Sequence, residues 1–349
     1  MTLMRTPWRT VLVLVLGGAL VALFLRHVDL RRAATEILHA RPEWLVVAFA
    51  TGFLNLAIRS YRWQYLLRPL GHTAFRNVFR ATAVGFAAST LLPARAGEVI
   101  RPYFLARTSA DDQRVSATGA FATIVLERLL DVITVLALVS SYVFVFGHDA
   151  AQANPTAFQW LTWIVATAAL GSVAALLVLY GLAADPDRLG RATARIARMM
   201  PSVAAMLARL VEQFARGLAV VRRPGRLLVA LGWSFPLWLT IAVGIWAIAS
   251  AFRLPVPFTG SFVVLALLVL GVAVPTPGAV GGFHAAFRYS ATTFFAAPDA
   301  AAVGAAFVLH LFSVMPSLLL GLLFAARSGV NLLAMRDLTQ HADRHGVTT

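Results

Sequence analysis

The chain has 349 residues, 59% of them hydrophobic and 13% charged, with a mean hydropathy of +0.77. Soluble domains carry about 25% charge and about 45–50% apolar residues, so this composition excludes an ordinary soluble protein, a disordered chain and a coiled coil. It demands an all-α polytopic membrane protein. All 30 basic residues are arginine, against 15 Asp+Glu, for a formal charge of +15; no soluble module fits between the apolar runs to gather them into a nucleic-acid surface. With no cysteine, neither a disulfide framework nor a thiolate metal site can form.

Apolar runs recur along the chain and predict about six full spans within a single membrane domain. Trp8–Leu25 is the first; Arg5 and Arg9 before it imitate a signal peptide, but no A-x-A-like cleavage site precedes Arg26, so it reads as an uncleaved anchor. Arg26–Glu43 mixes four arginines with Asp29, Glu36 and Glu43 and reads as an interfacial helix. Trp44–Ile58 is a marginal span unless it draws in Arg59–Leu67. Val115–Phe146 is long enough to cross and protrude, and Phe158–Ala183, Leu227–Phe252 and Ala300–Ala326 complete the set.

Two runs are different. Val78–Leu92 and Gly260–Val274 are each 15 residues long, about 22 Å of helix, and end at Pro93 and Pro275. The segment Asp185–Arg226 holds nine arginines and Gly147–Thr156 none, which puts the former in the cytoplasm and the latter outside. The C-terminal tail 327–349, with Arg327, Arg336 and Arg344, is also cytoplasmic by this rule, as is the N-terminus. Counting crossings then makes 78–105 a hairpin opening to the cytoplasm in the first half (8–183). In the second half (227–326), 260–297 becomes a hairpin opening outside. Paired, Gly/Pro-broken short segments in corresponding halves point to an inverted repeat with a midplane site. The breakpoints are Pro93 in one hairpin and Pro275, Pro277, Gly278, Gly281 and Gly282 in the other. Between the halves, 185–226 repeats apolar residues at helical spacing among its arginines. It reads as a basic amphipathic segment, lying on the anionic leaflet or packed under the bundle.

Ionisable groups at membrane depth cost roughly 2.5–3.5 kcal/mol each on insertion scales, so those present need partners or a wet cavity. LLPARAGEVIRPYFL places Arg95, Glu98 and Arg101 on one face of a helix starting near Gly97, where freed N–H groups and two guanidiniums suit a phosphate. Glu127, Arg128 and Asp131 form a second cluster whose negative surplus would pair with Arg95 or Arg101, or take up a proton. His284 and Arg288 follow the second breakpoint one turn apart, as a gating and a head-group candidate; His310 reads as core. Arg59 and Arg62 beside Trp63 and Tyr65 look like an aromatic–basic interface belt, with anchoring as the first reading and head-group capture as the second. No catalytic constellation, nucleotide motif or metal-ligand spacing is visible, so neither an enzyme nor a cofactor is expected.

RSYRWQYLL, LLPARAGEVIRPYFL, Glu127-Arg128-x-x-Asp131 and PTPGAVGG, in that order, resemble the lysylphosphatidylglycerol synthase transmembrane region, also called the flippase-like or UPF0104 family. The resemblance runs from about Trp8 to Ala326. It implies a bacterial inner-membrane protein related to the lipid-translocating half of enzymes that make and flip aminoacylated phosphatidylglycerol, with relatives tied to hopanoid and polyprenyl-linked glycolipid pathways. The soluble transferase domain of those enzymes has no counterpart in this sequence, and many relatives place Glu near the position of His284. The expected function is therefore flippase-like translocation of an anionic phospholipid or polyprenyl-phosphate lipid, with membrane lipids as partners. The alternatives are an ion-coupled transporter of a small anion and an accessory of a lipid-synthesis pathway.

Overall fold

A computed structural model describes residues 30–91, 96–108, 115–184, 220, 223–273 and 279–327. Among these the chain is helical throughout, without a strand: α1 (Leu30–Leu38), α2 (Pro42–Leu67), α3 (Phe75–Leu91), α4 (Gly97–Thr108), α5 (Ala117–Ser141), α6 (His148–Ala153), α7 (Pro155–Ala184), α8 (Pro224–Ala251), α9 (Ser261–Ala273), α10 (Gly282–Phe295) and α11 (Asp299–Arg327). Five helices are long and apolar enough to cross a membrane: Pro42–Leu70, Ala117–Phe146, Pro155–Val178, Pro224–Ala251 and Asp299–Arg327. They answer to five of the expected spans and make this a multi-pass membrane protein. The Trp8–Leu25 span, the breakpoints Pro93, Pro275, Pro277 and Gly278, most of 185–226 and the tail beyond Arg327 lie outside the described residues.

Local chemistry sets the ends of the long helices. Pro42 occupies the first turn of α2, where its missing N–H costs nothing. The helix then runs 26 residues, about 39 Å, so the marginal run does draw in Arg59–Leu67. Ser116 caps α5 by accepting from Gly119 N at 3.1 Å, and a π-helical turn, Tyr142–Phe146, prolongs it. Asn154 Oδ1 accepts from Ala157 N at 3.1 Å to start α7.

The short helices come in two packed pairs, α3 with α4 and α9 with α10. With 17 and 12 residues, then 13 and 14, none reaches the roughly 30 Å hydrocarbon thickness. Each pair meets backbone to backbone through glycine. A Cβ on Gly97 would strike Gly85 O, and one on Gly282 would strike Gly271 O. Only hydrogen side chains permit that approach.

Two apolar cores result. One gathers Trp63 and Leu66 of α2, α3, Ile100 and Phe104 of α4, Leu126 and Leu130 of α5, and Ala230 of α8. The other gathers Ala48 of α2, Val135 and Val139 of α5, Leu237 and Ile245 of α8, Val263 and Leu265 of α9, Phe287 of α10 and Ala305 of α11. Helices α2, α5 and α8 serve both, and where they pass from one core to the other their side chains turn polar.

Candidate functional site

That boundary is built from one helical turn on each of α2, α5 and α8. α2 supplies Arg59 and Arg62, α5 supplies Glu127 and Asp131, and α8 supplies Ser234 and Trp238, so each pair shares a face. α4 adds Arg101. Arg62 is the centre and is fully buried. Its Nη1 donates to Asp131 Oδ1 at 2.7 Å and to Ser234 Oγ at 2.7 Å, and its Nη2 donates to Glu127 Oε1 at 2.9 Å. The other Glu127 oxygen accepts from Arg101 Nη1 at 2.9 Å. Arg101 in turn lies 3.8 Å above the Trp63 ring, whose Nε1 donates to Thr123 Oγ1 at 3.0 Å. Asp131 Oδ1 also accepts from Trp238 Nε1 at 2.9 Å. Arg128 stands half-exposed between Asp131, at 3.4 Å, and Glu98, at 4.0 Å.

A buried ion pair survives desolvation only where geometry is good and most lone pairs are met. The planar fork of Arg62, bridging two carboxylates and a hydroxyl, meets that condition as a lysine could not. The charge nevertheless fails to cancel. Arg59, Arg62, Arg101 and Arg128 face Glu98, Glu127 and Asp131, four cations to three carboxylates among the described residues. The negative surplus expected of Glu127, Arg128 and Asp131 is met by Arg101, and with Arg59 and Arg62 the wider cluster carries a positive one. The pairing of the acidic cluster with Arg101 holds, but Arg59 and Arg62 enter the same site and reverse its sign.

Those two arginines and Trp63 are the main revision. They were expected at a membrane interface and instead are buried in the bundle, Trp63 completely. A belt and a buried cluster look alike in sequence, because both place arginine beside aromatics; the acidic partners that distinguish them lie 65 and 69 residues further on. Ser234 and Trp238 gave no signal, being a serine and a tryptophan within an apolar run. Arg95 lies outside the described residues. Gly97 serves the α3–α4 contact, and among the described residues Glu98 pairs with Arg128 alone.

The second pair contributes no charge to the cluster. Arg288 forms a two-pronged ion pair with Asp299 at the start of α11, Nε to Oδ1 at 2.5 Å and Nη2 to Oδ2 at 2.8 Å. It therefore lies apart from Arg101 in the bonding network. Gly281, at φ +92°, takes a backbone shape that favours glycine. Its N–H donates to His284 Nδ1 at 3.4 Å. The His284 ring is buried against His310, Phe307 and Phe283, with centroids 4.8, 4.6 and 5.9 Å away.

Beside the ionic layer lies a cavity of about 330 Å³. α2, α8, α9 and α11 form most of its wall, Phe86 reaches in from α3 and Phe283 from α10, so both short pairs touch it. Among the described residues Arg59 is its one charged lining residue.

The sequence model of the lysylphosphatidylglycerol synthase TM region matches residues 10–321. The chain belongs to that family. Among its relatives, the UPF0104 membrane protein MJ1595 of Methanocaldococcus jannaschii is 24% identical over 160 residues, 45% of this chain and 44% of the relative. The UPF0104 membrane protein PH1989 of Pyrococcus horikoshii is 24% identical over 128 residues, 36% of this chain and 37% of the relative. The similarity thus spans less than half the length of either relative. Among the described residues no group of three or more His, Asp and Glu is placed to hold a metal ion.

Proposed function

We propose that the protein is a lipid translocase. On this reading it moves an anionic phospholipid or polyprenyl-phosphate lipid between the leaflets of a bacterial inner membrane, with both termini cytoplasmic. One observation carries the reading: an apolar cavity, reached by both pairs of short helices, has among the described residues one buried guanidinium in its wall and a cationic surplus behind it. Membership of a family described by a lipid-modifying synthase supports it. The short pairs act as re-entrant hairpins from opposite faces, and the cavity sits where they meet, near the bilayer midplane. Glu127 holds Arg101 in place, so contact with the head group passes from the hairpin arginine to Arg59. Gly97 and Glu98 set the first hairpin against α5, and Arg128, Glu127 and Asp131 tune the charge. No step of this cycle requires the protein to make or break a covalent bond, so it is a carrier rather than an enzyme.

The test is a proteoliposome assay with a trace fluorescent phospholipid and an impermeant quencher. The wild type is expected to expose inner-leaflet probe that protein-free vesicles retain. Arg59→Gln, which deletes one charge-assisted contact of about 1.5–3 kcal/mol, is expected to slow movement roughly tenfold or more. Equal movement with wild type and Arg59→Gln removes Arg59 from the path. No lipid movement at all, with proton-driven uptake of a small radiolabelled anion, replaces the lipid reading by that of a solute transporter.

A further inference from the structure

Two imidazoles stand apart from the ionic layer. His284 opens α10, His310 lies within the spanning helix α11, and their rings meet edge to face with centroids 4.8 Å apart. Each also lies on a phenyl ring: Phe283 stacks on His310 at 4.8 Å, and Phe307 tilts over His284 at 4.6 Å. Ionisable side chains inside a membrane bundle are costly, and here the backbone gives one of them a use. Gly281, at φ +92°, is where the chain turns into α10, and His284 is the third residue of that helix. The Gly281 N–H donates to His284 Nδ1 at 3.4 Å. That contact assigns Nδ1 as the acceptor of the neutral ring and leaves the ring proton on Nε2. The imidazole thus caps the helix, in the position where a capping box sets Glu or Gln. Gly282, next in the chain, is the residue whose absent Cβ lets α10 lie on Gly271 O of α9. One side chain therefore holds the turn at which the α9–α10 pair closes.

We propose that the His284–His310 pair is a single-proton site and that its protonation releases the first turn of α10. A proton taken from water at Nδ1 turns the acceptor into a donor that confronts the Gly281 N–H. It also sets a positive charge in the first turn of α10, where the helix dipole opposes it. The cap is therefore present while the pair is neutral and is lost as pH falls. The charge still has a hold: the faces of Phe283 and Phe307 favour a cation, and two rings this close accept one charge more readily than two. The surrounding helices bring other titratable groups. By sequence, α9 and the break at 274–278 carry none. On α10, Arg288 lies one turn beyond His284 and is engaged by Asp299 of α11, and Tyr289 follows it. α6 brings His148 and Asp149, α7 brings Tyr180, and Tyr142 lies on Phe295 at the far end of α10. Of the helices packed on α11, α1 carries Arg31, Arg32 and Glu36, α2 carries Glu43, Arg59 and Arg62, α3 carries Arg76 and Arg80, and α8 carries Arg226. His310 is the one whose ring meets the His284 ring among the described residues. The proposal is independent of the lipid reading, since it concerns what opens the second pair, whatever the cargo.

The full-length protein in lipid nanodiscs, with Ala279→Cys as its sole cysteine and a nitroxide on it, reports the turn through its electron paramagnetic resonance line shape. Between about pH 8 and about pH 4.5, a mobile component is expected to grow along a one-proton curve and to vanish again on return. A nitroxide at Val132→Cys, exposed on α5, is expected to keep its line shape. His284→Gln keeps an acceptor at the cap and takes up no proton, so its turn is expected to stay immobile across the range. His310→Phe keeps the ring packing and removes the partner imidazole. Its midpoint is expected to move down by about one pH unit, a tenfold loss of proton affinity. A label at Ala279→Cys that ignores pH overturns the proposal, whether or not either histidine variant folds. The same pH response in His284→Gln overturns it by placing the proton elsewhere, and an unmoved midpoint in His310→Phe overturns the pair. An equal change at Val132→Cys reads as general loosening and overturns it too. None of these readouts uses lipid movement, so the proposal and the translocase reading fail separately.

Discussion

The α3–α4 pair and the α9–α10 pair share a backbone device and differ in what fixes them to the bundle. Both close through glycines whose absent side chains let one backbone lie on another. The first pair is then tied in by charge: Arg101 reaches Glu127 in α5, which the same carboxylate links to Arg62 in α2. The second pair is tied in by volume, with Phe287 fully buried and Phe283, Phe294, Val263 and Leu265 around it. The two pairs thus place a polar, directional contact on one side of the cavity and a non-directional one on the other. Directional contacts fix a geometry, whereas apolar surfaces slide at little cost. On the translocase proposal, the first pair would be the fixed frame and the second the moving part of the transport cycle.

The largest test of the comparison is whether the pairs enter from opposite faces. The sequence has no cysteine, so single cysteines report without background. Labelling by an impermeant maleimide in spheroplasts is expected at Asp149→Cys and Ala279→Cys and absent at Ser202→Cys and Ala96→Cys. The last two should react only after the membrane is opened. Reaction of Ala96→Cys and Ala279→Cys from the same face would abolish the opposed arrangement, and with it the idea of two halves on one plan.

A smaller effect sharpens the contrast between charge and volume. Arg62→Met strands Glu127 and Asp131 short of a buried cation and should cost about 3–5 kcal/mol of stability; Phe287→Ala should cost about as much through the cavity it leaves. The conservative replacements separate the two. Arg62→Lys is expected to recover little, because one ammonium cannot bridge Glu127, Asp131 and Ser234 with the Arg62 geometry. Phe287→Leu keeps much of the volume and should recover most of the loss. Denaturant or thermal unfolding in detergent reads all four. Full rescue by Arg62→Lys would mean that the first pair, too, needs only a charge of the right sign and no particular geometry.

These residues also show how far the sequence could be read. Helix positions were legible because apolar length is a one-dimensional signal: Gly260–Val274 became Ser261–Ala273, and the long run from Val115 became Ala117–Phe146. The pairing of Glu127 with an arginine was legible too, since an intramembrane carboxylate must find a cation. Which cations enter the site was not, because that depends on how α2 rotates against α5, and the aromatic neighbours of Arg59 and Arg62 suggest an interface equally well. The cavity was the least legible part. Its wall is drawn mostly from α2, α8, α9 and α11 after packing, and no spacing in the chain encodes that.

The smallest expected effect bears on the second pair alone. The ion pair of Arg288 with Asp299 is two-pronged but partly exposed, 27% and 48% of the side chains, so screening leaves it worth at most about 1 kcal/mol. Arg288→Met should therefore lower stability by no more than that, should matter less still in high salt, and should leave lipid translocation within about twofold of wild type if Arg59 is the cation that meets the head group. The same proteoliposome assay measures it. A loss of movement comparable to that of Arg59→Gln would return Arg288 to the head-group role its spacing from His284 suggested. The second pair would then be tied to the substrate by charge as the first is tied to the bundle, and a frame fixed by charge beside a mover held by volume would no longer describe the molecule.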